Sequence, residues 1–292
     1  MSGAVSPKEA GSTNPIAVYG RMIKFSHSIF AMPFALASAV IASRVTPVEW
    51  STIALIVVCM VLARSFAMGV NRIVDRHFDA RNPRTAIREI PSGQMSVRTA
   101  SAITAAAAVL FVVSSFALNP ACGALSPVAL IVVGGYSYAK RFTALVHLWL
   151  GAALGIAPVA AWMAVTGTVS VVAVVLAAAV MTWVAGFDIL YSLQDEDFDR
   201  DQGLRSIPVA LGQVGALWVS GGLHVVTVGL LASLPFLAPL DWAYWVGWAL
   251  ISGVLAYEHT LVKPGDLSRI DKAFFDLNGY VSLVFFGAVL LA

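Results

Sequence analysis

The sequence predicts an all-α integral-membrane protein: nine transmembrane helices in a pseudo-symmetric bundle, closed on the cytoplasmic side by polar cap loops. Three observations carry that expectation. Of 292 residues, 59% are hydrophobic and only 12% are charged, against roughly 25% charged in an ordinary soluble domain. The apolar residues fall in continuous runs rather than in alternation, which selects helices over a barrel. The lysines and arginines gather at one set of run ends. A single soluble core could not hide this much apolar surface, because even a domain of ~300 residues leaves about a quarter of its unfolded-chain surface exposed.

Residues 1–15 are polar, lack a short basic-then-apolar leader, and read as a disordered tail; residues 16–292 read as one domain. A spanning helix needs about 20 apolar residues. Spans are expected over 16–43, 50–72, 97–118, 122–138, 145–163, 169–192, 213–237, 241–260 and 273–292. Pro47, Pro120, Gly167 and Pro239 mark short connections between them, while the alternate connections, 73–96, 139–144, 193–212 and 261–272, are longer and polar. All but Arg44 and Arg64 of the 18 lysines and arginines fall on the side of the tail and the polar connections. The positive-inside rule makes that side cytoplasmic. A net charge of +2 is too mild to suggest nucleic acid. Cys59 and Cys122 sit among apolar residues and read as packing residues. The tryptophans, Trp242, Trp245 and Trp248 among them, mostly read as interfacial anchors.

Carboxylates concentrate in two places. At the end of the second span, Asn71, Asp75 and Asp79 are spaced four apart and stack on one helix face. At the end of the sixth, Asp188, Asp195 and Asp199 are spaced seven and four, which again selects one helix face, and Tyr191, four before Asp195, lies on it too. Stacked like charges repel, so two such ladders at a membrane edge call for a compensating cation. Hard oxygen donors suit magnesium, which takes one or two carboxylates and uses substrate phosphates as further ligands. Facing ladders would hold two ions with a diphosphate between them. Both ladders are followed by a similar pattern, Arg84-Thr85 then Pro91 and Gly93 after the first, Arg205-Ser206 then Pro208 and Gly212 after the second, as duplication of a helical half would give. Tyr136 and Lys140 share a face at the end of the fourth span, and with Arg141 they suit an anionic leaving group. Arg64 lies two turns deeper than Asn71; an intramembrane arginine marks a ligand or a partner. It reads as a ligand of a diphosphate or a substrate carboxylate, or as one half of an internal salt bridge. His27, beside Arg21 and Lys24, reads as an interfacial histidine.

These residues resemble the UbiA superfamily of intramembrane aromatic prenyltransferases. Its Asn-x-x-x-Asp-x-x-x-Asp motif matches Asn71, Asp75 and Asp79; its Asp-x-x-x-Asp motif matches Asp195 and Asp199, with Asp188 and Tyr191 upstream; its Tyr-x-x-x-Lys element matches Tyr136 and Lys140. The stretches NRIVDRHFDARNPRT and YSLQDEDFDRDQGLRSIPVALG are similar to the 4-hydroxybenzoate polyprenyltransferase branch, and MIKFSHSIFAMPFAL resembles the branch that makes menaquinone through futalosine. The resemblance implies magnesium-dependent transfer of a polyprenyl group from its diphosphate to an aromatic acid in ubiquinone or menaquinone synthesis. It implies metal binding by Asn71, Asp75, Asp79, Asp195 and Asp199, and diphosphate binding by Lys140, Tyr136, Arg205, Arg64 and Arg84. Acceptor binding would fall to Asp188, Tyr191, Arg21 and Lys24, with Asp188 orienting the hydroxyl or taking the ring proton. An aminobenzoate derivative or dihydroxynaphthoate are the alternative acceptors. A secondary transporter would also combine helical repeats with membrane acids, but it places its coupling site near the midplane on broken helices. Here only Asp188 lies deeper than the membrane edge.

Overall fold

The computed structural model describes residues 14–23, 30–271 and 276–292, which form helices joined by turns, with one isolated bridge between Lys263 and Asp266. Helix α1 (Pro15–Met22) begins with proline at its first position, and Asn14 caps it by accepting the Ile16 N–H at 2.9 Å. Helix α2 (Met32–Ser43) starts afresh. The continuous span expected over 16–43 is therefore corrected: Ile23, Phe30 and Ala31 lie in turns. Pro33 has no N–H to donate to a preceding turn, and it sits where a helix starts rather than in its interior. Lys24 and His27 fall outside the described residues.

Helix α3 (Trp50–Arg81) runs on through the expected loop start at 73 to Arg81. It is followed by α4 (Val97–Leu118), α5 (Pro120–Ala139), α6 (Val146–Thr166) and α7 (Val171–Ser192). A 3-10 turn (Leu193–Asp195) then leads into α8 (Glu196–Asp201), and the chain ends with α9 (Ile207–Ser233), α10 (Trp242–Leu261) and α11 (Asn278–Leu291). Side chains of Ser96, Asn119, Ser170, Ser206 and Asp241 each accept a first-turn N–H, stopping the helix ends from fraying. Among the described residues, α3 to α7 and α9 are long and apolar enough to cross a membrane; α2 and α11 are apolar but shorter. This is an integral membrane protein.

Each helix from α3 to α7 packs on the next, α7 packs on α9, α9 on α10 and α10 on α11, and α11 returns to α2, which also packs on α6. The result is a closed ring. Its tightest seam is α6 against α7. A Cβ on Gly151 would lie 2.2 Å from the carbonyl oxygen of Met181, and one on Gly155 would lie 2.8 Å from that of Ala177. Small residues four apart let two membrane helices approach this closely. Phe34, Trp183, Tyr244 and Phe285 fill the core beyond the seam, with Phe34 stacked on Phe285 at 4.6 Å. Trp183 is thus no interfacial anchor: it is fully buried and donates to Asn278 Oδ1 at 2.7 Å, and Asn278 in turn donates to Glu258 at 2.9 Å. Arg44, one of the two basic residues away from the cytoplasmic side of the expected topology, donates to the carbonyls of Pro239 and Val289. Val289 lies in the last turn of α11, where helix carbonyls run short of partners, and Pro239 in the connection before α10, so Arg44 ties the two together.

Candidate active site

Asn71, Asp75 and Asp79 all lie on α3, as their spacing requires, and Asn71 donates to Asp75 Oδ2 at 2.8 Å. The second ladder is not one regular helix. The 3-10 turn at Leu193–Asp195 separates Asp188 on α7 from Asp199 on α8, so the single-face argument for those three carboxylates is corrected. The break does not part them. Asp75, Asp79, Asp188, Asp195 and Asp199 line one cavity of about 230 Å³, together with Asn71, Tyr191, Arg84, Arg88, Lys140 and Arg141.

Every metal-motif aspartate there has a basic partner. Asp195 meets Arg84 at 2.5 Å, Asp79 meets Arg88 at 2.6 Å, Asp199 meets Lys140 at 2.7 Å and Asp75 meets Arg141 at 3.2 Å. This explains why α3 stays helical to Arg81: bases supplied from outside the helix neutralise the stacked charges that would otherwise unwind it. Arg84 is also the strap between the ladders, since it leaves the end of α3 and bonds both Asp195 and the Tyr191 hydroxyl. Asn82 donates to Asp195 at 3.3 Å and Arg81 to Gln202 at 3.1 Å, closing the same gap. Burial pulls the Arg84 guanidinium down, but Asp195 and Tyr191 outweigh it and hold it above the ordinary arginine value. Likewise burial lowers the Lys140 ammonium, and Asp199 more than restores it, leaving it raised.

The donor set fits a hard divalent cation. Asp79 is 5% exposed, and its Oδ2 is buried without a hydrogen-bond partner among the described residues. Such an orphaned carboxylate oxygen is costly unless a cation meets it. No three acidic or histidine side chains converge on one point among the described residues. Magnesium does not require that, because it takes one or two carboxylates and completes its shell with water and phosphate.

A second cavity, of about 360 Å³, is lined almost wholly by apolar side chains of α3 to α6, including Ile56, Met60, Phe111, Val133 and Leu154. Leu125 and Val128 on its wall are 50% and 55% exposed on the outer face of α5, so it opens sideways. Cys59 and Cys122, both free thiols, also line it. Tyr136 and Arg64 line this apolar cavity, not the polar one, and Arg64 donates to the Ile23 carbonyl at 3.1 Å. The two cavities adjoin: Tyr136 lies one helical turn before Lys140 and within electrostatic reach of Asp75 and Asp188. Arg205 points away and donates to the Phe142 carbonyl at 2.9 Å. Arg21 is exposed on α1, and Lys24 lies outside the described residues.

Two contributors escape sequence reasoning. Arg88 and His147 carry no motif, and their partners lie nine and 41 positions away, so only the packing reveals them. Arg141 is expected beside Tyr136 and Lys140, but its pairing with Asp75, 66 positions away, is not.

Compared with known proteins, residues 31–284 match the UbiA prenyltransferase family. The chain is 32% identical over 241 residues to a 4-hydroxybenzoate octaprenyltransferase of Burkholderia vietnamiensis, covering 82% of each chain. It is 31% identical over 240 residues to a protein of the same name from Paraburkholderia phytofirmans, covering 82% of this chain and 83% of that one. A solved structure of a UbiA homolog from Aeropyrum pernix is similar at a TM-score of 0.82 and 34% identity, over 91% of this chain and 97% of that one. A UbiA homolog from Archaeoglobus fulgidus bound to GPP and Mg2+ shares the fold at a TM-score of 0.75 and 21% identity, over 94% and 98%.

Proposed function

The chain belongs to the UbiA prenyltransferase family, and from that premise we propose that it transfers a polyprenyl group from polyprenyl diphosphate to an aromatic acid of the 4-hydroxybenzoate kind. The observation that carries the reading is the meeting of both carboxylate ladders on one polar cavity, beside an apolar cavity that opens sideways. The relatives named for 4-hydroxybenzoate support the choice of acceptor.

Asp75, Asp79, Asp195 and Asp199, with Asn71, would hold magnesium, as the orphaned Asp79 oxygen favours. When bound, the metal supplies Lewis-acid stabilisation of the departing diphosphate. Arg84, Arg88, Lys140 and Arg141 stand around the same space and can move from carboxylate to phosphate oxygens, so that the leaving group meets preorganised positive charge. As the C–O bond of the donor breaks, its electron pair leaves with the diphosphate. The allylic cation is then attacked by an electron-rich ring carbon, and that carbon loses its proton to restore aromaticity. Asp188, on the wall of the polar cavity, is placed to orient the ring substituent or to take that proton. The apolar walls exclude the water that would otherwise capture the cation. At the inner boundary, Arg64 would meet the carboxylate of the acceptor and Tyr136 would face the developing cation, rather than either meeting the diphosphate.

The same reading has nine crossings, formed by α2 to α7 and α9 to α11, in a pseudo-symmetric ring with the cavity on the cytoplasmic side. The gathering of lysine and arginine there supports it. The test is product formation by detergent-solubilised protein from a prenyl diphosphate and a panel of acceptors: 4-hydroxybenzoate, an aminobenzoate and dihydroxynaphthoate. Chelation of magnesium, Asp75→Ala and Asp195→Ala should each lower turnover at least ~100-fold while the melting transition persists. Turnover at the wild-type level in both variants contradicts the ligand assignment.

A further inference from the structure

His147, on α6, is 1% exposed, and both of its ring nitrogens contact groups outside that helix. Nδ1 lies 2.7 Å from Oδ2 of Asp188, and Nε2 lies 3.3 Å from the backbone nitrogen of Ile207. The second contact decides the tautomer. A backbone N–H can only donate, so Nε2 must present its lone pair and the ring proton sits on Nδ1, aimed at Asp188. The ring is thereby kept as a donor to the carboxylate. Asp188 makes no other hydrogen bond among the described residues, so Oδ1 remains an acceptor on a residue that lines the polar cavity.

Helix packing sets the distance between the two. His147, Gly151 and Gly155 recur every four residues on one face of α6, while Ala177, Met181 and Asp188 share the facing side of α7. The bare Gly151 lets the two backbones close to van der Waals range at Met181, and one turn further on the same seam His147 meets Asp188. Ile207, which supplies the amide, opens α9 directly after the loop that follows the second ladder. Three elements therefore agree on a single orientation of one carboxylate.

We propose that His147 is a positioning residue that turns Asp188 so that Oδ1 accepts a hydrogen bond from an O–H or N–H substituent on the aromatic acceptor. This rests on the prenyl-transfer reading. Because the oriented oxygen only accepts, the acceptor class is narrowed to rings bearing a phenolic hydroxyl or an amino group. A ring bearing neither gains nothing from the pair.

The test compares wild type with His147→Leu and His147→Gln. Glutamine can donate to Asp188 through its amide nitrogen and accept from Ile207 through its oxygen, whereas leucine does neither. His147→Leu should raise the KM for 4-hydroxybenzoate about tenfold or more, with the KM for the prenyl diphosphate unchanged; His147→Gln should restore most of the difference. Inhibition by plain benzoate, which lacks the substituent, should be equal in wild type and His147→Leu. An unchanged acceptor KM overturns the inference, and so does a parallel rise in both KM values, which marks a merely structural role. A separate readout needs no turnover. In protein labelled with ¹⁵N-histidine, the resonances missing from His147→Gln should show a protonated Nδ1 and an unprotonated Nε2, and the reverse tautomer overturns the inference. Wild-type protein that binds no aromatic acceptor removes the prenyl-transfer reading and this inference together; turnover by wild type with His147→Leu unaffected removes this inference alone.

Discussion

Asp79 has one oxygen on Arg88 and the other bonded to nothing among the described residues, at 5% exposure. A carboxylate so placed depends on its single guanidinium. Removing one member of a buried pair costs 3–5 kcal/mol, and the side chain of Arg88 is 26% exposed, so Arg88→Ala should cost about 2 kcal/mol. A fall in the melting temperature in detergent would register it, and magnesium with pyrophosphate should recover part of the loss; an unchanged melting temperature contradicts the dependence. Lys140 behaves differently with pH. Its ammonium is raised above the unfolded value, so its contribution is complete below that value and is lost only as the pH climbs through the higher folded one. The Lys140 ammonium therefore keeps its charge throughout the neutral range. The acids of this site were legible in the sequence because their four-residue spacing is local. Which base each acid meets was not, because Arg88 reaches back nine positions and Arg141 reaches across 66.

Helix α6 shows how one position controls an element. Its Gly151 faces a carbonyl oxygen, an atom that cannot rotate aside, at a distance no methyl group tolerates. Gly151→Ala should force α6 from α7 and cost about 1–3 kcal/mol. Gly253→Ala, on α10 where a Cβ meets nothing within 4 Å, should instead stabilise by about 0.5–1 kcal/mol through the better helix propensity of alanine. Thermal unfolding of the two variants side by side checks the contrast; equal effects would mean that the seam is not close-packed. Most helix positions were readable from hydropathy and from the prolines that punctuate it. Two boundaries, and the break inside the second ladder, were not. The first span breaks because Pro33 needs a helix start, and α3 lengthens because distant bases cancel its charges; hydropathy reports neither effect.

The nine crossings proposed above would give the ring a definite sidedness. A reporter domain inserted between residues 86 and 94, in the connection from α3 to α4, should read as cytoplasmic, and one inserted after Gly167, between α6 and α7, should read as external. Agreement of both reporters on one side contradicts the nine-crossing reading. The asymmetry of the ring follows from the same arrangement. Helices α3 to α6 enclose the apolar cavity, whereas the half built on α7, α9, α10 and α11 is filled by Trp183, Tyr244 and Phe285. The side slot beside Leu125 and Val128 has a consequence of its own. On the prenyl-transfer reading, a chamber with such a window would hold only the reactive head of a long isoprenoid while the remainder stays dissolved among acyl chains. It would have no ruler, so tail length would be settled by whatever synthesises the donor, and the finished compound would already be in oil when it lets go.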